Sequence, residues 1–164
     1  MADTLLIIED EALLGSELAR HFRREGWFVE LVRNLADARR LLLGEELEPL
    51  VVLSDMSLPD GNALDLLEEV REHARGGEWL FLTGYGTVAD SVRALRLGAY
   101  DFLEKPCEED RLDLVVAGAA RSARAHRRLS DEARQQHARY AIGTFLGSSR
   151  RIEARLATLH HLIR

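Results

Sequence analysis

The stretch Leu50-Val51-Val52-Leu53-Ser54-Asp55 is an apolar run that ends at a carboxylate and is followed by turn residues. Such a run, bounded on one side by Pro59 and Gly61, is typical of a strand buried on both faces, as in a parallel sheet. Asp55 would then lie at the carboxyl end of its strand, where open parallel sheets place their binding sites. An Asp at this position can also simply cap a turn, so Asp55 alone does not decide the function.

A second apolar run, Leu5-Leu6-Ile7-Ile8, ends in three consecutive acids, Glu9, Asp10 and Glu11. Crowded carboxylates favour a cation between them, and Mg²⁺ prefers oxygen ligands of this kind. Acids are also favoured in the first turn of a helix, an interpretation that suits Glu11 better than Glu9 or Asp10. The run therefore predicts a cation site at a second strand end.

A third strand end carries Lys105, the only lysine among 22 basic residues. Lysine is a compact point charge, whereas arginine is a planar fork, so one lysine among arginines suggests a position that needs an ammonium. A phosphoryl group beside carboxylates is such a position. Chance is the competing explanation, but the place of Lys105, after an apolar run and before Pro106, argues against it. The bond between Lys105 and Pro106 is also a candidate for a cis peptide.

Strand-like and helix-like segments alternate through the first 106 residues. Strands are predicted at residues 5–8, 27–32, 50–54, 79–82 and 100–103, and helices at residues 11–26, 35–43, 63–74 and 87–97. Asn34 is expected to cap the second helix, and Gly26 and Gly98 are expected to end the first and fourth. The alternation predicts a doubly wound α/β fold with a five-stranded parallel sheet and right-handed crossovers.

Four strand-end motifs together resemble the receiver domain of two-component response regulators. The motifs are Glu9-Asp10, Asp55 with Pro59-Asp60-Gly61, Thr83-Gly84 and Lys105-Pro106. The resemblance covers roughly the first three quarters of the chain, and the ordered set is far more specific than any one motif. It implies a CheY-like sheet in the order 2-1-3-4-5, with the site between strands one and three.

The same resemblance implies a phosphoacceptor signalling switch. Asp55 would accept a phosphoryl group from a histidine kinase in a Mg²⁺-dependent reaction. The metal ligands would be Glu9, Asp10, Asp55 and the backbone carbonyl of Ser57. Many receivers have Asp where this chain has Glu9, and the longer side chain is expected to reach the metal through water.

Thr83 and Lys105 would contact the phosphoryl oxygens, and Thr83 and Phe102 would be the switch residues. A β-branched Thr also suits a strand for its own sake, and Phe102 fits an ordinary core role equally well. On this hypothesis the chain is not an enzyme, beyond catalysing the phosphorylation and dephosphorylation of its own Asp55.

Two other hypotheses remain open at the level of the sequence. A Mg²⁺-dependent phosphatase of the haloacid-dehalogenase kind would also use a strand-end Asp, Mg²⁺ and a Lys. Such enzymes usually need a second acid two residues after the nucleophile, where this chain has Ser57. The third hypothesis is a structural dimerisation module whose acids carry no chemistry.

Composition and charge exclude several classes of protein. Residues 1–106 hold 21 acidic and 11 basic side chains, a net charge of −10, which argues against nucleic-acid binding by this part. Residues 107–164 hold 7 acidic and 11 basic side chains, a net charge of +4. A single Cys excludes an internal disulfide framework and, with no membrane span or signal-peptide pattern, predicts a cytoplasmic protein.

A long helix is predicted over residues 107–140. It carries a loose seven-residue repeat made of Leu112, Val115, Ala119, Ser122, His126, Leu129, Ala133 and Gln136. Because several of these residues are small or polar, a strong coiled coil is not expected. The repeat predicts a homodimer of modest strength through helix five and the linker, and a solvated single helix is the alternative.

Residues 143–149 are expected to break this helix. The motif Phe145-Leu146-Gly147-Ser148-Ser149, followed by a further apolar helix, resembles the opening of the AAA+ ATPase domain of NtrC-type, sigma-54-dependent activators. The predicted organisation is a receiver at residues 1–120, a helical linker and possible coiled coil at 121–142, and the start of a truncated AAA+ domain at 143–164. DNA and sigma-54 RNA polymerase would be reached only through domains absent from this sequence.

Overall fold

The computed structural model describes residues 2–73 and 76–145, with side chains described as far as Ala141. Its elements in chain order are β1 (Thr4–Ile8), α1 (Ala12–Arg24), β2 (Phe28–Val32), α2 (Leu35–Leu43), β3 (Val51–Ser54), β4 (Ser57–Leu58), β5 (Gly61–Asn62), α3 (Ala63–Glu72), β6 (Glu78–Thr83), α4 (Val88–Arg96), β7 (Asp101–Glu104) and α5 (Glu109–Phe145). The chain forms two compact units, Met1–Ala123 and Arg124–Arg164. In the second unit the described residues are helical.

Five parallel strands form the main sheet in the order β2-β1-β3-β6-β7. Because β4 and β5 form a separate antiparallel pair, this order is the predicted 2-1-3-4-5 arrangement, and the prediction of a doubly wound sheet is confirmed. The order reverses direction at β1 and β3. Parallel sheets place a crevice beyond the carboxyl ends of the strands at such a reversal.

The sheet is buried on both faces because its strands are apolar at consecutive positions. Leu6 and Ile8 of β1 belong to a core cluster that includes buried residues of α2, α3 and α4. Leu5 and Ile7, which point the other way, belong to a cluster with buried residues of α1 and α5. A strand covered by helices on each side needs no polar face, which explains the unbroken apolar runs.

The predicted ends of the first four helices agree with the structure to within two residues, and the predicted caps are found. The side chain of Asn34 accepts a hydrogen bond from the Asp37 N–H at 2.8 Å, at the start of α2. Gly26 and Gly98 follow α1 and α4 with φ values of 97° and 83°, which favour glycine. The peptide bond between Lys105 and Pro106 is cis, as the sequence suggested.

The prediction that Gly143 breaks the last helix is wrong, since α5 continues through it to Phe145. One glycine inside a helix costs only about 1 kcal/mol relative to alanine, which is not enough to end a helix that is otherwise favourable. The rest of the predicted ATPase opening, residues 146–164, lies outside the described residues. Within residues 2–73 and 76–145, no helix is long and apolar enough to cross a membrane.

Candidate functional site

The carboxyl edge of the sheet brings the predicted site residues together through strand register. β1 and β3 pair in register to their last residues, so Glu9 and Asp55, which follow these strands, are neighbours. The N–H of Lys105, just after β7, donates to the carbonyl of Thr83, the last residue of β6, at 2.8 Å. Residues from four strands therefore meet at one edge.

Three carboxylates, those of Glu9, Asp10 and Asp55, form the acidic part of the site. One oxygen from each lies within 4.8 Å of the others. Glu9 is buried, with 3% of its surface exposed, whereas Asp10 is exposed to solvent. An all-oxygen donor set of this size fits Mg²⁺, which accepts one or two carboxylates and retains several waters.

The ammonium of Lys105 bridges two of these acids. Its Nζ donates to Glu9 Oε1 at 2.7 Å and to Asp55 Oδ2 at 3.1 Å. The Lys105 side chain is 19% exposed and the Asp55 side chain 13%, so solvent screens these charges only in part. The other oxygens are also engaged: Glu9 Oε2 accepts from the Glu11 N–H at 3.2 Å, and Asp55 Oδ1 accepts from the Met56 N–H at 2.7 Å.

Burial raises the pKa of the Glu9 carboxyl above its usual 4.5, and the neighbouring charge of Asp55 acts in the same direction. Hydrogen bonds from Lys105 and from the Glu11 N–H oppose this rise without cancelling it. For Lys105, burial acts to lower the pKa, but the hydrogen bonds and charges of Glu9 and Asp55 outweigh it, and the pKa is raised above 10.5. The lysine is therefore charged, while Glu9 binds a proton more readily than a free carboxyl would.

Thr83 and Phe102 lie on the side of the site formed by β6, β7 and the loop before α4. Thr83 is buried, and its Oγ1 accepts a hydrogen bond from the N–H of Tyr85, a residue that is 95% exposed. The half-buried Phe102 packs against the core cluster. Its ring also covers Gly86 so closely that a Cβ there would lie 2.5 Å from Phe102 Cζ. The loop, Thr83 and Phe102 are thus in contact.

Sequence reasoning missed the support around Asp55. Ser57 is exposed and starts the small β4–β5 hairpin, which its polar sequence did not reveal. Asp60, in the hairpin turn, accepts hydrogen bonds from the backbone N–H groups of Leu35 and Ala36 at 2.8 and 2.9 Å. These bonds lower the pKa of Asp60 and tie the turn to the start of α2. The Pro59-Asp60-Gly61 motif predicted a turn, but nothing in it indicated that Asp60 would accept hydrogen bonds from the start of α2.

Comparison with known proteins agrees with the geometry of this edge. The sequence profile of the response regulator receiver domain matches residues 5–117. The chain belongs to this family. Response regulator receiver domains are regulatory signalling domains of two-component systems, and the acidic pocket of the family is present here as the cluster of Glu9, Asp10 and Asp55.

Curated relatives and solved structures extend this result. The chain is 34% identical over 114 residues to the acid tolerance regulatory protein ActR of Rhizobium meliloti, covering 70% of the chain and 57% of ActR. It is 34% identical over 147 residues to the regulatory protein LuxO of Vibrio vulnificus, covering 90% of the chain and 31% of LuxO. The crystal structure of the signal receiver domain of a LuxO repressor protein from Vibrio parahaemolyticus has a TM-score of 0.73 at 26% identity, covering 79% of this chain and 98% of that one. The chain therefore spans only part of the length of its curated relatives.

Proposed function

We propose that the chain is a phosphoacceptor switch in which Asp55 takes a phosphoryl group from a histidine kinase. The observation that carries the proposal is the bridge from Lys105 to Glu9 and Asp55 at the carboxyl edge of the sheet. It holds an ammonium beside a carboxylate that is open to solvent on one side. A phosphoryl donor needs this combination of nucleophile and fixed positive charge.

The acidic cluster is the proposed Mg²⁺ site. Glu9, Asp10, Asp55 and the backbone carbonyl of Ser57 would hold the ion, which supplies positive charge to the oxygens of the transferring phosphoryl group. Both oxygens of Glu9 already have hydrogen-bond partners, whereas Asp10 is exposed. Asp10 is therefore the better direct ligand, and Glu9 is expected to act through water.

The chemical step uses one carboxylate oxygen of Asp55 as the nucleophile. This oxygen forms a bond to phosphorus while the bond from phosphorus to the kinase imidazole breaks. The product carries about −1.5 to −2 charges and three acceptor oxygens. Lys105, whose raised pKa keeps it charged, lies 3.1 Å from Asp55 and would bind one of these oxygens.

The switch would start at Thr83. Its hydroxyl now accepts a hydrogen bond from the Tyr85 N–H. If the hydroxyl turned toward a phosphoryl oxygen, the loop that follows β6 would move with it. Phe102 would respond, because its ring packs against Gly86 in the same loop. Phosphorylation would act by shifting the populations of two arrangements of this loop and ring.

The proposed output is control of a C-terminal ATPase and transcription effector. The match to LuxO extends over 147 residues and so reaches beyond the receiver, which supports a shared linker. DNA and sigma-54 RNA polymerase would be contacted only by parts beyond this sequence. The domain division at residues 120 and 142 stays part of this proposal.

A homodimer through α5 and the linker is part of the same proposal. In the second unit, Leu129 is 64% and Tyr140 is 48% exposed, and a long helix with exposed apolar residues gains stability from a partner. One relative of known structure is described as the dimer of the beryllofluoride-activated NtrC4 receiver domain, with a TM-score of 0.68 at 28% identity over 73% of this chain and 98% of that one. Light scattering would show a concentration-dependent dimer that Leu129→Asp weakens, and a monomer at high concentration would contradict it.

The function is tested by incubating the chain with a small phosphodonor, with and without Mg²⁺, and measuring intact mass and donor consumption. The expected result is one phosphoryl group per chain, formed only with Mg²⁺. Continuous turnover of phosphomonoesters would instead indicate a phosphatase. A chain that neither holds nor releases phosphate would be a structural module.

A further inference from the structure

A second cluster of ionisable groups lies between α1 and the start of α5, on the face of the sheet opposite α2, α3 and α4. It consists of His21, Glu25, Glu109 and Asp113, and it is called here the α1–α5 cluster. His21 Nε2 lies 2.6 Å from Asp113 Oδ1, and His21 Nδ1 lies 2.9 Å from Glu109 Oε1. Ligand atoms of His21, Glu25 and Asp113 all lie within 4.8 Å of one another.

The spacing of these residues along the chain explains why they meet. His21 and Glu25 are four residues apart at the end of α1, and Glu109 and Asp113 are four residues apart at the start of α5. Residues four apart lie on the same face of a helix. The two helices pack on the same core cluster, which brings one such pair against the other.

The two carboxylates beside His21 favour a cation at one of its ring nitrogens. A neutral imidazole has one N–H donor, so it can satisfy one carboxylate and presents a lone pair to the other. Here a carboxylate faces each ring nitrogen and a third lies close by. Either a second proton on the ring or a metal ion at one nitrogen would remove the repulsion. The His21 side chain is only 12% exposed, so solvent screens this repulsion only in part.

We propose that the α1–α5 cluster is a second metal site, which binds a divalent transition-metal ion of the zinc type. His21 Nε2, Asp113 and Glu25 are the ligands, and water completes the four-coordinate shell. Glu109 Oε1, 2.9 Å from Nδ1, would favour the tautomer with the proton on Nδ1, which leaves Nε2 free for the metal. A carboxylate behind the ligating histidine is the usual outer support of such sites.

The donor set separates this site from the acidic cluster at the strand ends. Nitrogen with carboxylate oxygen suits zinc, with bonds of about 2.0–2.2 Å, whereas Mg²⁺ prefers oxygen ligands alone. The three ligand atoms lie within 4.8 Å of one another. Two zinc bonds at a tetrahedral angle hold their ligand atoms about 3.3–3.5 Å apart, so binding must open the 2.6 Å contact between Nε2 and Asp113 Oδ1 and bring the exposed Glu25 side chain closer. The zinc ion would take the place of a proton between His21 Nε2 and Asp113 Oδ1, which lie 2.6 Å apart. The ion would link α1 to α5 without touching Asp55.

The first test is a zinc titration of the whole chain by calorimetry, with Mg²⁺ in excess to occupy the oxygen site. His21→Gln and Asp113→Asn should each weaken one zinc site by at least about tenfold. The control is His73→Gln, because His73 is an exposed histidine whose Nδ1 lies 2.9 Å from the Glu69 carbonyl, and it should bind zinc as the wild type does. Equal zinc binding by the wild type and His21→Gln would overturn the proposal.

The second test does not depend on a variant that folds. Imidazole ¹⁵N spectra of the wild type should show a large zinc-induced shift of His21 Nε2, while Nδ1 stays protonated and Mg²⁺ leaves both unchanged. If zinc leaves the His21 nitrogens unchanged, the proposal is overturned and the cluster is a protonated ion pair only.

Discussion

The strand-end site and the α1–α5 cluster each gather three carboxylates around one nitrogen base, but they differ in how the charge is balanced. At the strand ends the cation is Lys105, which is covalently part of the chain and contacts Glu9 and Asp55. In the α1–α5 cluster the base is an imidazole, whose charge depends on a bound proton or metal. Lys105, Glu9 and Asp55 of the first site are at most 19% exposed, whereas Asp113 and Glu109 of the second are 36% and 70% exposed.

The difference in burial and in the source of positive charge indicates a different role for each cluster. A buried site with a fixed ammonium is ready for an anion such as a phosphoryl group, and losing that ammonium is costly. A half-exposed cluster on helix surfaces tolerates change, because water screens its charges. The first therefore suits chemistry, and the second suits a removable link between helices.

The largest expected effect is the loss of stability in Lys105→Met. Without its ammonium, Glu9 and the partly buried Asp55 lose the cation that balances their charge, and the free energy of unfolding should fall by about 3 kcal/mol in the absence of metal. The matched change in the other cluster, His21→Gln, should lower it by about 1 kcal/mol or less, since its carboxylates are partly screened. Urea unfolding of both variants measures the difference.

Saturating Mg²⁺ provides the control for this comparison. It should restore part of the stability of Lys105→Met, because it supplies positive charge to the same acids. It should leave the difference between His21→Gln and the wild type unchanged, because both keep the strand-end site and gain equally from Mg²⁺. Equal losses in the two variants would show that burial does not distinguish the clusters.

The next effect concerns the ranking of the metal ligands. Asp10→Asn should weaken Mg²⁺ binding by about tenfold or more, and Glu9→Gln should weaken it less. Glu9 is held by Lys105 and by a backbone N–H, so it is less free to bind the ion directly. Titration of the strand-end amide signals measures both affinities, and the reverse order would refute this assignment.

A smaller effect is expected at the glycines of the loop after β6. Gly86→Ala would place a Cβ 2.5 Å from Phe102 Cζ, and the tip of the ring must move away. Gly84→Ala is the matched control, because nothing lies within 4 Å of a Cβ there. Gly86→Ala should shift the Phe102 ring resonances and cost about 1 kcal/mol, the low end for overpacking, because the ring is only half-buried and can move. Unmoved resonances would mean that Phe102 and the loop are not coupled.

The smallest effect is a pH dependence that belongs to Glu9. Its pKa is raised above 4.5 in the folded protein, so the stability that its protonation contributes is complete below 4.5 and is lost as the pH rises through the folded pKa. Without metal, Glu9→Gln should therefore be more stable than the wild type at neutral pH, and the difference should vanish near pH 4.5. Thermal unfolding between pH 4 and 8 measures it, and a difference that grows on acidification would contradict the assigned direction.

Much of the strand-end site could be predicted because it is local to the chain. A buried parallel strand is an apolar run, and the residue that follows it lies at the edge of the sheet, so the sequence alone places Glu9, Asp55 and Lys105 there. The register that joins them follows from the strand order. The bridge from Lys105 to Glu9, as well as to Asp55, depends on side-chain positions that no spacing shows.

Features made by packing between distant segments could not be predicted. The four-residue spacing of His21 and Glu25 is visible in the sequence. The contact between His21 and Glu109 is not, because it depends on how α1 and α5 pack. The two-residue strands of the β4–β5 hairpin are too short for any periodicity. The prediction of a helix end at Gly143 was wrong because a glycine ends a helix only when no neighbouring interaction continues the helix.

The central claim is that Asp55 is the phosphoryl acceptor, and its most direct test is intact mass after treatment with a small phosphodonor and Mg²⁺. Asp55→Asn keeps nearly the same shape and should remain folded but gain no phosphoryl group. Asp60→Asn is the matched control, since Asp60 is an exposed acid that accepts backbone hydrogen bonds at the start of α2 and should leave phosphorylation intact. A phosphoryl group on Asp55→Asn, or its loss in Asp60→Asn alone, would contradict the claim.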